Sequence, residues 1–79
     1  MKIAVQLFGP LAEQAGLARI TIETSGTSLK DVLEALSVTV PTLRIGPSVR
    51  YAVNTDYAES SASVREGDVV SLIPPVGGG

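Results

Sequence analysis

No cysteine and no histidine occur in this 79-residue chain. The first absence excludes a disulfide framework, a thiolate nucleophile and a cysteine-based zinc site. The second removes the commonest general base near neutral pH and the commonest metal ligand, so the serines have no base of the usual kind to activate them. The carboxylates, eight in all, are scattered singly, which suits a solvated surface better than an acid–base pair, and no metal site is expected. Positive charge is equally thin. Six Lys and Arg in a chain of net charge −2 form no stripe for phosphates to follow, so nucleic-acid binding lacks its driving force. No uncharged apolar run approaches the roughly 17 residues of a short membrane span, and no basic segment leads into an apolar one as a secretory signal would. The expectation is a soluble cytoplasmic protein with neither membrane nor nucleic-acid partners, and without self-contained catalysis.

What is present is a small amphipathic domain. A hydrophobic content of 44% argues against disorder, and a chain this short makes one domain that buries only roughly 60% of its unfolded surface. Ile3, Val5 and Leu7 alternate with polar neighbours, as do Ile20 and Ile22, which predicts two strands with one face buried. Their separation suits antiparallel neighbours joined by more than a tight loop, with Leu11–Ala15 as one helical turn closed by Gly16. Thr27 or Ser28 can cap a helix whose stripe is Leu29, Val32, Leu33 and Leu36, predicted over roughly 28–36. Residues 37–48, punctuated by Pro41 and Gly46-Pro47, read as a loop.

Beyond the loop, Tyr51-Ala52-Val53 predicts a short strand, Asn54-Thr55-Asp56 a turn, and Tyr57-Ala58 a second short strand. Glu66-Gly67-Asp68 predicts a tight turn before the last strand, Val69–Ile73, with Val70 and Leu72 inward and Val69, Ser71 and Ile73 outward. Pro74 and Pro75 cannot donate to a ladder, so pairing should stop there. One helix covers one face of so small a sheet, which predicts an α+β fold: a mixed sheet of four to five strands around one main helix. If the first and last strands are central neighbours, they are parallel. The domain is expected over 1–75, with 76–79 as a flexible tail.

That tail is Val76-Gly77-Gly78-Gly79, and its last distinctive group is the Gly79 α-carboxylate. Glycine adopts backbone angles closed to other residues, and a chain without side chains can thread a narrow tunnel. From Val76 to Gly79 the reach is roughly 13–14 Å at ~3.3–3.6 Å per residue. Ordering it costs about 4–8 kcal/mol at ~1–2 kcal/mol per residue, which a partner has to supply through contacts elsewhere. Outward apolar residues, Phe8, Tyr57 and Ile73, are the candidate docking patch. Glu13 reads as a solvated residue of the short helix, and Asn54 and Asp68 as turn formers.

Four features coincide: Phe8 at a strand end followed by Leu11-Ala12-Glu13 and Gly16; Ala52-Val53-Asn54; Glu66-Gly67-Asp68; and Ile73-Pro74-Pro75-Val76 before the terminal glycines. Together, over essentially the whole chain, they resemble the ubiquitin-like β-grasp sulfur carriers of the MoaD/ThiS type, the family that includes the small subunit of molybdopterin synthase. Departures fall at Ala12, Val69 and Gly77, where the family often has Arg, Glu and Ser or Thr. The thiamine-pathway carriers share the fold and the Gly-Gly end but usually lack the Pro-Pro-Val approach, so they rank second.

The resemblance implies a β-grasp fold and a division of labour. A carboxylate is a poor electrophile, and a carboxyl of pKa about 3.3–3.7 is ionised at pH 7. The chain has no phosphate-binding Gly loop with Lys to hold ATP. By resemblance, a ubiquitin-activating-type adenylyltransferase uses ATP to adenylate Gly79 and replaces AMP with sulfur, giving a thiocarboxylate. No cofactor is bound by the chain itself. The large catalytic subunit of the synthase, in a heterotetramer of two small and two large subunits, then takes the tail and passes sulfur to a cyclic pterin phosphate in molybdenum cofactor biosynthesis. Phe8, Tyr57, Ile73, Pro74 and Pro75 match family positions that meet the large subunit. Two other classes stay open: a modifier joined by isopeptide bonds to lysines, and an interaction module with an idle tail.

Overall fold

Alternation in the first residues becomes strand β1, Lys2–Leu7, in a computed structural model that describes residues 1–75. The chain continues through α1 (Pro10–Ala15), β2 (Arg19–Glu23), α2 (Leu29–Thr39), β3 (Arg50–Val53), β4 (Asp56–Ala58) and β5 (Val69–Ile73). The strands form one mixed sheet in the order β2-β1-β5-β3-β4. β1 and β5 are parallel and central, with Val5 beside Val70 and Leu7 beside Leu72; the other pairs are antiparallel. This is the expected α+β architecture, a ubiquitin-like β-grasp.

The period of two puts Ile3, Val5, Leu7, Ile22, Val70 and Leu72 on the face that meets Leu29, Val32 and Leu36 of α2, and all are fully or almost fully buried. Gly16 closes α1 in the left-handed region at φ 76° and donates to the carbonyls of Ala12 and Glu13, as its place after a short helix predicts. α2 starts in a capping box. The Ser28 hydroxyl accepts from the Asp31 amide, and the Asp31 carboxylate accepts from the backbone amide of Ser28.

Three details differ from expectation. α2 runs to Thr39, about a turn beyond the predicted end at 36. The hydroxyls of Ser37 and Thr39 bond back to the carbonyls of Leu33 and Ala35, and Val40 behind them is buried, so core contact extends a segment whose composition favours a loop. Asp56 pairs with Val53 in β4, which leaves a two-residue turn of Asn54-Thr55, with Asn54 at φ 57°, a value that Asn tolerates better than most residues. Ser71 points to the open face as predicted, yet it is 8% exposed. Its strand is flanked on both sides, and its hydroxyl bonds to Gln6 Oε1 at 3.4 Å.

The Thr24–Gly26 turn is folded closely over the cap of α2. A Cβ at Gly26 would run into the Cβ and carboxylate of Asp31, which accepts from the amides of both Thr27 and Ser28. Gly26→Ala is therefore expected to destabilise the domain by about 1–3 kcal/mol through overpacking, with roughly 4–8 °C of Tm lost per kcal/mol. Gly46→Ala, where a Cβ meets nothing within 4 Å, should change stability by less than about 0.5 kcal/mol. Thermal melts of the two variants side by side check this.

Candidate functional site

The residues expected to dock a partner come from three separate strands or their ends. Phe8 follows β1, Ile73 ends β5 and Tyr57 lies in β4. Continuing the β1–β5 register, which pairs Leu7 with Leu72, sets Phe8 beside Ile73. Tyr57 and Ile73 line one groove of about 620 Å³ together with Pro74 and Pro75. The sheet thus gathers these residues at one end of its open face. Tyr57 is 70% exposed and Phe8 46%; Ile73 and Pro74 are half-buried and Pro75 exposed. Ile73 is less open than a residue pointing outward would suggest, because β5 is central.

Strand pairing stops after Ile73, where Pro74 begins. A Cβ at Gly9 would sit 3.7 Å from Pro74 Cγ, so the turn into α1 lies against the start of the tail. On the other side runs the segment 44–49. A groove of about 300 Å³ lies between α1 and this segment, lined by Pro10, Arg44, Pro47, Pro74 and Pro75. The segment is pinned to α1 through Gln14. The Arg44 amide donates to Gln14 Oε1 at 2.8 Å, and the Thr42 hydroxyl to the Gln14 carbonyl at 3.0 Å. The expected tail residues, Val76, Gly77, Gly78 and Gly79, lie outside the described residues.

Sequence reasoning missed Arg44 and Arg50. Each lines one of the two grooves beside the proline pair, so two guanidinium-bearing residues flank the base of a tail expected to end in a carboxylate. No periodicity in residues 44–50 marks them. The return of the chain past α1 brings Arg44 there, and the β3–β5 register, which pairs Arg50 with Ile73, brings Arg50. Of the departures from the family pattern, Ala12 packs partly buried against the core, and Val69 is half-buried.

Asn54 and Asp68 sit at the opposite end of β5 from Pro74 and act on structure, as expected of turn formers. The Asn54 amide side chain donates to Asp68 Oδ1 at 3.2 Å, and its Oδ1 accepts from the Val69 amide at 3.0 Å. Asp68 Oδ2 accepts from the Arg65 amide at 2.9 Å. That amide, and then the Asn54 side chain, hold the Asp68 carboxyl below the usual range. The Ser28 hydroxyl, then the amides of Ser28 and Thr27, do the same for Asp31. A depressed folded-state pKa adds stability that is fully present above the unfolded value of about 3.9 and disappears as pH falls through the folded value. Urea midpoints should therefore hold steady from neutral pH down to about pH 4 and fall below it. Asp68→Asn should be less stable than wild type at pH 7, with the difference narrowing in acid. A constant difference across that range refutes the assignment.

Glu13 is exposed on α1. Among the described residues no group of three or more Asp and Glu could hold a metal ion, and no helix is long and apolar enough to cross a membrane. The geometry is that of a platform, with apolar residues at one end of a sheet and a proline-stiffened exit beside them.

Comparison with known proteins gives consistent results. The model of the ThiS family matches residues 5–79. The molybdopterin synthase sulfur carrier subunit of Arabidopsis thaliana is 32% identical over 81 residues, spanning 100% of this chain and 84% of that protein. Small archaeal modifier protein 1 of Haloferax volcanii superposes with a TM-score of 0.89 at 26% identity, covering 100% of both chains. A chain from the complex of subunits 1 and 2 of the molybdopterin-converting factor of Helicobacter pylori superposes at 0.71 with 30% identity, again covering 100% of both.

Proposed function

The chain belongs to the ThiS family, and from that premise we propose that it is the sulfur carrier subunit of a molybdopterin synthase, working through the Gly79 carboxylate. The observation that carries this reading is the apolar end of the open face, where Phe8, Tyr57 and Ile73 surround the exit of β5 toward the glycines. A partner that grips this end of the sheet offsets the ordering entropy of the tail and receives whatever group Gly79 carries.

The chemistry follows from what the chain lacks. Without His, Cys or a phosphate loop it cannot activate its own carboxylate, so an adenylyltransferase uses ATP to form the acyl adenylate. Sulfide then attacks the carbonyl; the C–S bond forms as the C–O bond to AMP breaks, AMP departs and a thiocarboxylate is left. A large catalytic subunit takes the tail and moves sulfur to a cyclic pterin phosphate. The Helicobacter complex of two subunits and the Arabidopsis relative support this choice of partner. A heterotetramer of two small and two large subunits, and a cytoplasmic setting, belong to the same reading.

The resemblance to a small archaeal modifier protein favours a second reading, in which Gly79 is joined to lysines of other proteins. Intact mass after co-expression with an activating enzyme and a sulfur source separates the two. Exchange of one oxygen for sulfur adds about 16 Da to the chain, whereas conjugation gives ladders of heavier species. Finding neither product rejects both.

A further inference from the structure

Among the described residues, β2 is an outer strand of the sheet and pairs with β1 alone. Its phase is fixed by bonds at both ends of the ladder. The Thr24 amide donates to the Met1 carbonyl and the Met1 ammonium to the Thr24 carbonyl, while the Leu7 amide donates to the Ala18 carbonyl. In an antiparallel ladder these bonded pairs alternate with unbonded ones. With Lys2 opposite Glu23, Ala4 opposite Thr21 and Gln6 opposite Arg19, the backbone groups of Arg19, Thr21 and Glu23 face away from β1, toward the free edge. All three residues are exposed. The edge carries no Pro and no Lys, and its two charges, Arg19 and Glu23, are of opposite sign.

The sequence of that edge, Arg19-Ile20-Thr21-Ile22-Glu23, complements itself. Laid antiparallel on a second copy about Thr21, it sets Thr21 against Thr21, Arg19 against Glu23 and Glu23 against Arg19. These are the positions whose amides and carbonyls are free, so each pair exchanges two N–H···O bonds. Residues directly opposite share a face, so both Arg–Glu pairs lie side to side on the open face, where opposite charges favour pairing and like charges oppose it. On the core face Ile20, half-buried in the single chain, comes opposite Ile22 of the second copy, which its own chain already buries. We propose that this edge is a homodimer interface, joining two copies through β2 into one continuous sheet. β1 lies between this edge and β5, so the interface leaves Ile73–Pro75 open in both copies, and the two strands β5 stand roughly 24 Å apart at ~4.8 Å per strand.

Sedimentation equilibrium of the full chain, from about 10 μM to about 1 mM, the range of weak association, tests this. Wild type should move from the monomer mass toward twice that mass and shift back at high salt. Arg19→Glu places Glu against Glu in both pairs and should raise the dissociation constant at least tenfold. The double variant Arg19→Glu/Glu23→Arg restores complementarity and should bring it back to within about threefold of wild type. Mixing Arg19→Glu with Glu23→Arg should give a heterodimer. In wild type, the amides of Arg19, Thr21 and Glu23 should exchange more slowly at high concentration, a readout that needs no variant to fold. A chain that stays monomeric throughout, or a dimer indifferent to charge reversal, overturns the proposal.

Discussion

A chain shortened by Gly79 alone keeps the melting temperature of the full chain and loses sulfur loading by at least about 100-fold. The first half rests on where the core lies: its buried residues run from Ile3 to Leu72, and strand pairing ends at Ile73. The second half rests on reach. Removing one residue draws the terminal carboxylate back by roughly 3.3–3.6 Å, and a misplacement of about 1 Å in a reacting group can already cost on the order of 100-fold. The shortened chain still ends in a glycine carboxylate of the same chemistry, so any loss measures position rather than reactivity. Intact mass after incubation with the activating enzyme, ATP and a sulfur source reads the loading, and a thermal melt reads the fold. Full loading of the shortened chain, with sulfur transfer intact as well, rejects Gly79 as the required terminus. Full loading with transfer failing only for the short chain places the length requirement in the synthase.

Much of this arrangement is legible in the sequence because the relevant signals are local. Ile3, Val5 and Leu7 alternate, Leu29, Val32 and Leu36 share a helix face, and Pro74-Pro75 stops a ladder; each needs only its neighbours to be read. The parallel pairing of β1 with β5 could be anticipated because a single helix and a short sheet leave few arrangements. What escaped the sequence is non-local. Val40 and Leu43 are buried although they follow a segment of Ser and Thr that weakens the helical pattern. Arg44 reaches the base of the tail only through the return of 40–49 past α1, and Arg50 through the pairing of β3 with β5. Ser71 is buried by its neighbours on β1 and β3 rather than by the core face, which alternation alone does not reveal. The docking face falls between the two cases: Phe8, Tyr57 and Ile73 read individually as outward apolar residues, but only the register sets them at one end of one face.

Leu72→Ala should remove a large share of the domain's stability, about 2–5 kcal/mol. Leu72 is fully buried in β5, where Leu7 pairs with it on one side and Tyr51 on the other. Truncation of such a residue costs about 2–5 kcal/mol, because the cavity collapses poorly when its walls are strands held on both sides. A domain of this length has only about 4–12 kcal/mol in total at ~0.05–0.15 kcal/mol per residue, so the loss is a large share of its stability. Val38→Ala is the matched control. Val38 is 82% exposed on α2, and removing its methyl groups changes stability by less than about 0.5 kcal/mol. Urea titrations of both variants give the comparison, and the function follows the fold: Leu72→Ala loses sulfur loading in proportion to its unfolded fraction, and lowering the temperature or adding a stabilising osmolyte restores it. A Leu72→Ala chain as stable as wild type contradicts the central placement of β5. That placement also sets where the tail begins, so the proposed site would fall with it.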